Sequence, residues 1–300
     1  MKNILDGKIT ETRNIKSMNM DRMPVYDLLK LMNDEDKKVP YSVEKALPEI
    51  EKAVLCVIES FKKKGRLIYI GAGTSGRLGV LDAVECPPTF GVSNNTVIGL
   101  IAGGERAFVK AQEGAEDSKE LAIDELKKIN LQNIDVVCAI AASGRTPYCI
   151  GGLEYAKSIG CRTIAIACNK NSEIGKNADL AIEVEVGPEV LTGSTRLKAG
   201  TAQKLILNMI TTAAMTGMGK VYENLMVDLK ITNEKLLERA KNNVVQITGC
   251  TLDEADKLLK ISNNNVKIAI VMGLLGCTLD EALNHLKGAN GFIRRIDKIK

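Results

Sequence analysis

Leu67-Ile68-Tyr69-Ile70-Gly71-Ala72-Gly73-Thr74-Ser75-Gly76-Arg77 is an apolar strand that runs straight into a glycine-rich turn and a helix start. A second stretch repeats the arrangement: Val136-Val137-Cys138-Ala139-Ile140 leads into Ala141-Ala142-Ser143-Gly144-Arg145-Thr146. Both loops carry Ser-Gly-Arg. Glycine lets a backbone come close to a ligand, and free N–H groups at a helix start hold an anion. Two such loops point to a phosphate or a sugar gripped from both sides. The candidate binding groups are Gly73, Thr74, Ser75 and Gly76 in the first loop and Ser143, Gly144 and Thr146 in the second.

Outward from these loops the pattern alternates. Strand-like runs are read at 67–70, 97–101, 136–141, 162–167 and 180–184. Helical stretches are read at 75–84, 107–128, 147–158 and 197–218. Near-continuous apolar strands alternating with helices predict a parallel sheet covered on both faces. Right-handed crossovers then make it a doubly wound α/β sandwich. Ligands in such sheets sit at the carboxyl ends of strands, where both Ser-Gly-Arg loops fall.

Residues 1–53 read as a polar, then amphipathic helical arm, with helical spacing from Val25 to Met32 and again from Val43 to Ile58. Residues 54–222 hold the α/β pattern, and 236–300 carry no strand signal. In that last part Gly249-Cys250-Thr251-Leu252-Asp253-Glu254-Ala255 recurs as Gly276-Cys277-Thr278-Leu279-Asp280-Glu281-Ala282. Each copy sets a Thr cap before acidic first-turn residues, the signature of a helix start in a small bundle.

Composition narrows the partners. With 41 basic and 37 acidic residues, no Trp and 3% aromatics, the chain offers neither a basic face nor stacking platforms for nucleic acid. No apolar run reaches the roughly 18 residues of a membrane span. The eight cysteines form no C-x-x-C pair and there is one histidine, so a structural zinc site is not expected. Scattered free thiols and the lack of a signal-peptide core suit the cytoplasm.

Gly71, Gly73 and Gly76 also match the G-x-G-x-x-G dinucleotide fingerprint. That motif needs a carboxylate at the end of the next strand, which instead reads Leu100-Ile101-Ala102-Gly103-Gly104. Arg77-Leu78 stands where an NTPase P-loop needs Lys and Ser or Thr. The hydroxyl pair Thr74-Ser75 favours a phosphate bound directly. Ser143 would serve equally as a cap for the helix that Pro147 opens. A third polar stretch, from Leu191 to Lys204, opens the longest helix. Its hydroxyls and cations, Ser194 and Lys204 among them, would complete a sugar-phosphate pocket or simply start a helix.

Sugar chemistry needs an acid and a base, and here carboxylates are the natural candidates. Pro87 and Pro88 are expected to end the helix after Val84 and to push Cys86 out of the α region. Glu85 would then sit at the negative end of a helix dipole, which suits a general acid. Glu105, Glu113, Glu116, Asp117 and Glu120 form an acidic stretch among which chemistry alone does not choose.

The run from Gly71 to Gly91, with Leu81-Asp82-Ala83-Val84-Glu85-Cys86-Pro87-Pro88-Thr89-Phe90, closely resembles the N-acetylmuramic acid 6-phosphate etherases. So do Glu113-Gly114-Ala115-Glu116-Asp117-Ser118, Ala141-Ala142-Ser143-Gly144-Arg145-Thr146-Pro147-Tyr148 and Lys198-Ala199-Gly200-Thr201-Ala202-Gln203-Lys204. Ile101-Ala102-Gly103-Gly104, Asn224-Leu225-Met226-Val227-Asp228 and Thr10-Glu11-Thr12-Arg13-Asn14 fit as well. The resemblance implies a sugar isomerase (SIS) domain followed by a ubiquitin-associated-like (UBA-like) bundle. It also implies cleavage of the D-lactyl ether of the 6-phosphorylated muramic sugar, with Glu85 and Glu116 as the catalytic pair and no metal or redox cofactor. A helix of ten residues from Ser75 is about 15 Å long, beyond the reach of one sugar from its phosphate. This favours a homodimer with sites near the subunit interface, or else a helix interrupted near Gly79. A sugar-phosphate isomerase, or a non-catalytic sensor like the glucokinase regulatory protein, would use the same loops. A DNA-binding regulator is disfavoured, since no helix-turn-helix precedes the sugar domain.

Overall fold

Strands form where both faces of an apolar run are covered. In the computed structural model Leu67–Gly71 and Val136–Ala141 are buried at every position. The structure describes residues 7–297 apart from Ala111, Glu113 and Thr232. It divides into two compact units. One holds the residues up to Val84 with Asn95–Thr211, and the other holds Glu85–Asn94 with Thr212 onward.

The first unit begins with short 3-10 turns and helices α1 (Val25–Asp36), α2 (Val39–Glu44) and α3 (Leu47–Lys62). Strands β1 (Leu67–Gly71), β2 (Val97–Ile101), β3 (Val136–Ala141), β4 (Arg162–Ala167) and β5 (Leu180–Glu183) follow. Between and after them come α4 (Gly73–Phe90), α5 (Arg106–Val109), α6 (Lys119–Lys128), α7 (Pro147–Ile159), α8 (Glu173–Asn177) and α9 (Lys198–Gly217). The five strands are all parallel, in the order β2-β1-β3-β4-β5. This is the doubly wound α/β sheet that the alternation predicts. The strand order reverses between β1 and β3, which pair directly, Gly71 opposite Ile140. On one face Leu126, Tyr148 and Leu153 close a core over Ile70, Val137 and Ala139.

The N-terminal arm is tied to the sheet unit by buried polar groups. Lys198 Nζ lies 2.9 Å from Glu35 Oε2, with both side chains almost fully buried, and Lys38 also donates to Glu35. Asn169 Oδ1 accepts from the Ile9 N–H at 2.8 Å, and its amide donates to Thr10 Oγ1 and the Ala142 carbonyl. Burial alone would raise the Glu35 carboxyl. Hydrogen bonds and charge from Lys38 and Lys198 outweigh it and hold the group at about 2.

Two expected helices are redrawn. The stretch 107–128 is not one helix: α5 ends at Val109, and a 3-10 turn Ala115–Asp117 precedes α6. Gly114 at φ +74° breaks the run, and the Ser118 hydroxyl caps α6 by accepting from the Leu121 N–H. Conversely, α4 does not end before the prolines; it runs uninterrupted past Gly79 and through Pro87 and Pro88 to Phe90. Each proline removes one N–H and one i→i−4 bond near the helix end, where few such bonds remain to be lost. Glu85 is thus inside a helix with Cys86–Phe90 following it, not at its terminus.

The second unit contains a two-stranded ribbon, β6 (Val221–Tyr222) and β7 (Leu225–Met226), which the sequence pattern did not announce. Helices α10 (Glu234–Thr248), α11 (Leu252–Ile261), α12 (Val266–Leu275) and α13 (Leu279–Gly288) follow. Thr251 and Thr278 both form full capping boxes with Glu254 and Glu281, as the repeat predicts. α12, apolar apart from Lys267, which pairs with Asp228, sets Ala269, Ile270 and Val271 in the apolar core of this unit.

Replacing Glu35 by Gln leaves Lys198 buried without its counter-charge, an expected loss of about 3–5 kcal/mol in urea unfolding at pH 7. Because the folded carboxyl titrates below its ordinary 4.5, this stabilisation is present above pH 4.5. The gap between wild type and Glu35→Gln should close as the pH falls from 4.5 through about 2.

Candidate active site

Direct pairing of β1 with β3 sets the two Ser-Gly-Arg loops side by side at the carboxyl ends of the strands, at the reversal of strand order. That crevice is where open parallel sheets bind ligands. The first loop is tight. A Cβ on Gly76 would lie 2.4 Å from the Gly71 carbonyl oxygen and 2.8 Å from Ile101. Of the glycines that mimic a dinucleotide fingerprint, Gly71 and Gly76 are therefore required by close approach of helix and strand, while Gly73 has open space around it and a φ of +53°. In the second loop Gly144 has φ +74°, and a Cβ there would meet Ser172 at 2.4 Å.

In the first loop Gly73 and Gly76 flank Thr74 and Ser75 at the N-terminus of α4, the end of a helix where the first N–H groups lack intrahelical partners. Ser75 is buried, and its hydroxyl donates to Gln203 Oε1 at 3.0 Å. Thr74 lies near the third stretch too: its methyl is 3.6 Å from where a Cβ on Gly200 would stand. The start of α9 is thus part of the wall around the first loop. Arg77 turns away and donates to the carbonyls of Ala107 and Phe108, a structural role.

In the second loop Ser143 is half-buried, and Asn169 donates to its carbonyl at 3.4 Å. Thr146, and not Ser143, stands at the N-cap of α7, and its side chain makes no cap bond. Its hydroxyl donates instead to Glu116 Oε1 at 2.9 Å. The redrawn turn Ala115–Asp117 brings this one carboxylate of the acidic stretch, itself exposed, to the loop.

Among the remaining candidates, Ser194 is half-buried in the turn before α9, and Lys204 is exposed on α9 one residue after Gln203. Glu85 is exposed and belongs to the second unit. One turn before it, Asp82 is buried and accepts from Tyr69, Asn208 and Thr211, which braces α4 against β1 and α9. Burial pushes the Asp82 carboxyl above its ordinary value, against those hydrogen bonds.

Three residues that position the site carry no sequence signal of their own. Glu189 is fully buried and accepts from the Lys198 and Ala199 N–H groups at 2.9 Å, so a carboxylate nine residues upstream caps α9. Asn169 links the arm to the second loop. Gln203 holds Ser75. Among the described residues no group of three His, Cys, Asp or Glu is placed to hold a metal ion, and no helix is long and apolar enough to cross a membrane.

Two family models match: the glucokinase regulatory protein N-terminal SIS domain over residues 49–157, and the SIS domain over 118–213. A protein of Bacillus mycoides (strain KBAB4) named N-acetylmuramic acid 6-phosphate etherase is 59% identical over 292 residues, covering 97% of this chain and 99% of its own. A namesake from Bacillus cereus (strain ATCC 14579) matches to the same extent. Among solved structures, the c3406 protein of E. coli CFT073 superposes with a TM-score of 0.50 at 18% identity, covering 67% of this chain and 97% of that one. A phosphoheptose isomerase from Francisella tularensis gives 0.51 at 13% identity, covering 65% and 100%. Those two likenesses establish the SIS fold.

Substituting Gly76 by Ala should force the α4 start off β1. We expect a loss of about 1–3 kcal/mol in stability, measured by thermal unfolding, together with weakened binding of a sugar phosphate in calorimetry.

Proposed function

The chain belongs to the N-acetylmuramic acid 6-phosphate etherase family, and on that footing we propose which residues carry the reaction. The enzyme is a carbon–oxygen lyase of cell-wall amino sugar recycling. It cleaves the D-lactyl ether of N-acetylmuramic acid 6-phosphate to N-acetylglucosamine 6-phosphate and D-lactate.

The phosphate is assigned to the N-terminus of α4, with Gly73, Thr74, Ser75 and Gly76, and is completed by Ser143 and Gly144 across the crevice and by Ser194 and Lys204. The helix start and the adjacent loops support this placement. Thr146 stands in the same wall, but its proton is committed to Glu116. That makes it an orienting group for a base, and it is the observation that carries the assignment of Glu116.

In the open-chain sugar the C1 aldehyde acidifies the C2 proton. Glu116 removes it, the C3–oxygen bond breaks, and Glu85 protonates the departing lactyl oxygen. Water then adds at C3 of the unsaturated aldehyde, giving one proton to the Glu85 carboxylate while Glu116 returns its proton to C2. Both carboxyls end as they began, and no redox step occurs.

α4 rises about 1.5 Å per residue, so Glu85 lies roughly 15 Å along it from Ser75. This supports a homodimer in which Glu85 serves the pocket of the other copy. The eight cysteines suit a reducing cytoplasm, where this reading places the enzyme. The division into an arm over 1–53, a SIS domain over 54–222 and a UBA-like bundle over 236–300 is part of the same reading.

Glu116→Gln and Glu85→Gln should each lower lactate release by about 10²–10⁴-fold, followed by mass detection of lactate. Full turnover in either variant would remove that residue from the mechanism. At substrate well below KM, where Ser75→Ala is nearly inactive, mixing and refolding it with Glu85→Gln should restore about a quarter of wild-type activity, since half the dimers then hold one intact shared site. No recovery would overturn the shared site.

A further inference from the structure

Gln203 is fully buried, and among the described residues its Nε2 is the one buried side-chain nitrogen or oxygen without a hydrogen-bond partner. Its other amide atom, Oε1, accepts the hydroxyl proton of buried Ser75 at 3.0 Å. Ser75 has only one proton to give. While that proton points at Gln203, the hydroxyl cannot donate to a phosphate, which itself only accepts.

A half-turn of the amide reverses this. Nε2 would then donate to Ser75 Oγ and free the hydroxyl proton for a phosphate oxygen. The same turn gives the orphaned N–H a partner and leaves a carbonyl unpaired in its place. The turn exchanges one unpaired amide atom for the other, so what decides it is whether an acceptor faces the Ser75 hydroxyl. We propose that Gln203 is a positioning residue whose amide directs the Ser75 proton, inward when the pocket is empty and outward onto the phosphate when it is occupied. The proposal rests on the assignment of Ser75 to the phosphate.

A carboxylate at 203 can only accept from Ser75; once protonated it can donate. The test measures the Kd of N-acetylglucosamine 6-phosphate by calorimetry from pH 5 to 8, as a ratio to wild type at each pH. Ser75→Ala should weaken binding about 10- to 100-fold, the worth of a hydrogen bond to a charged group. If it leaves the Kd unchanged, the phosphate assignment itself fails. Gln203→Glu should weaken binding as much as Ser75→Ala at pH 8 and recover toward wild type as the pH falls. Adding Gln203→Glu to Ser75→Ala should then cost nothing more. If Ser75→Ala weakens binding but Gln203→Glu adds its full effect on top, its charge acts without Ser75 and the amide reversal is overturned. Gln203→Met, which neither claims nor supports the proton, should weaken binding by less than Ser75→Ala does; a loss as large as that of Ser75→Ala overturns the proposal. Because the readout is product affinity, it stands apart from any effect on the carboxylates that break the ether.

Discussion

Parallel pairing of β1 with β3 is the constraint from which the binding crevice follows. Each strand delivers its chain to the same edge of the sheet, and the order of connections reverses between them. Two helices, α4 and α7, therefore follow from adjacent strand ends at the crevice. No other pair of neighbouring strands in this sheet opens such a gap. The duplicated Ser-Gly-Arg tripeptide is the local means of using it. Glycine brings the α4 start close to β1 and lets the second loop pass close to Ser172, and each loop carries a hydroxyl.

The crevice is held in shape from behind by polar groups out of reach of water. Glu189 satisfies the first N–H groups of α9, Lys198 from that same turn pairs with Glu35 of the arm, and Asn169 fastens Thr10 against the second loop. A buried ion pair adds little net stability when both partners are present, but removing one is costly. Such contacts therefore specify where the arm lies more than they strengthen the fold. Asp82 does the same for α4, holding it to β1 and α9 one turn before Glu85. The walls of the site are built by elements far apart in the chain, each fixed by a buried donor or acceptor with few alternative partners.

Much of this was legible in the residues. Tyr69, Cys138 and Ile164 sit in uninterrupted apolar runs, and such runs mean strands covered on both faces. The Thr251 and Thr278 caps were legible for the same local reason: the residues that satisfy a helix start lie within four positions of it. The course of α4 was not, because the proline rule describes a helix interior and Pro87 and Pro88 fall in a last turn that has few bonds left to lose. The break after Val109 was missed in the opposite direction. Acidic spacing looked helical, while Gly114 in the left-handed region and the Ser118 cap made a turn that carries Glu116 to Thr146.

By itself the sequence determined the strands, the sheet class, the two loops and, through the motifs around Glu85 and Glu116, the family. All of these depend on short-range regularities: a period of apolar residues, a glycine at a tight approach, a motif of neighbouring side chains. Only the tertiary structure decided which groups meet. Gln203 under Ser75, Glu189 on the start of α9 and Glu35 on Lys198 are pairings across 128, nine and 163 residues. Each partner is an ordinary polar residue in its own segment. It becomes specific only when burial removes water as the competing partner and leaves few donors facing few acceptors.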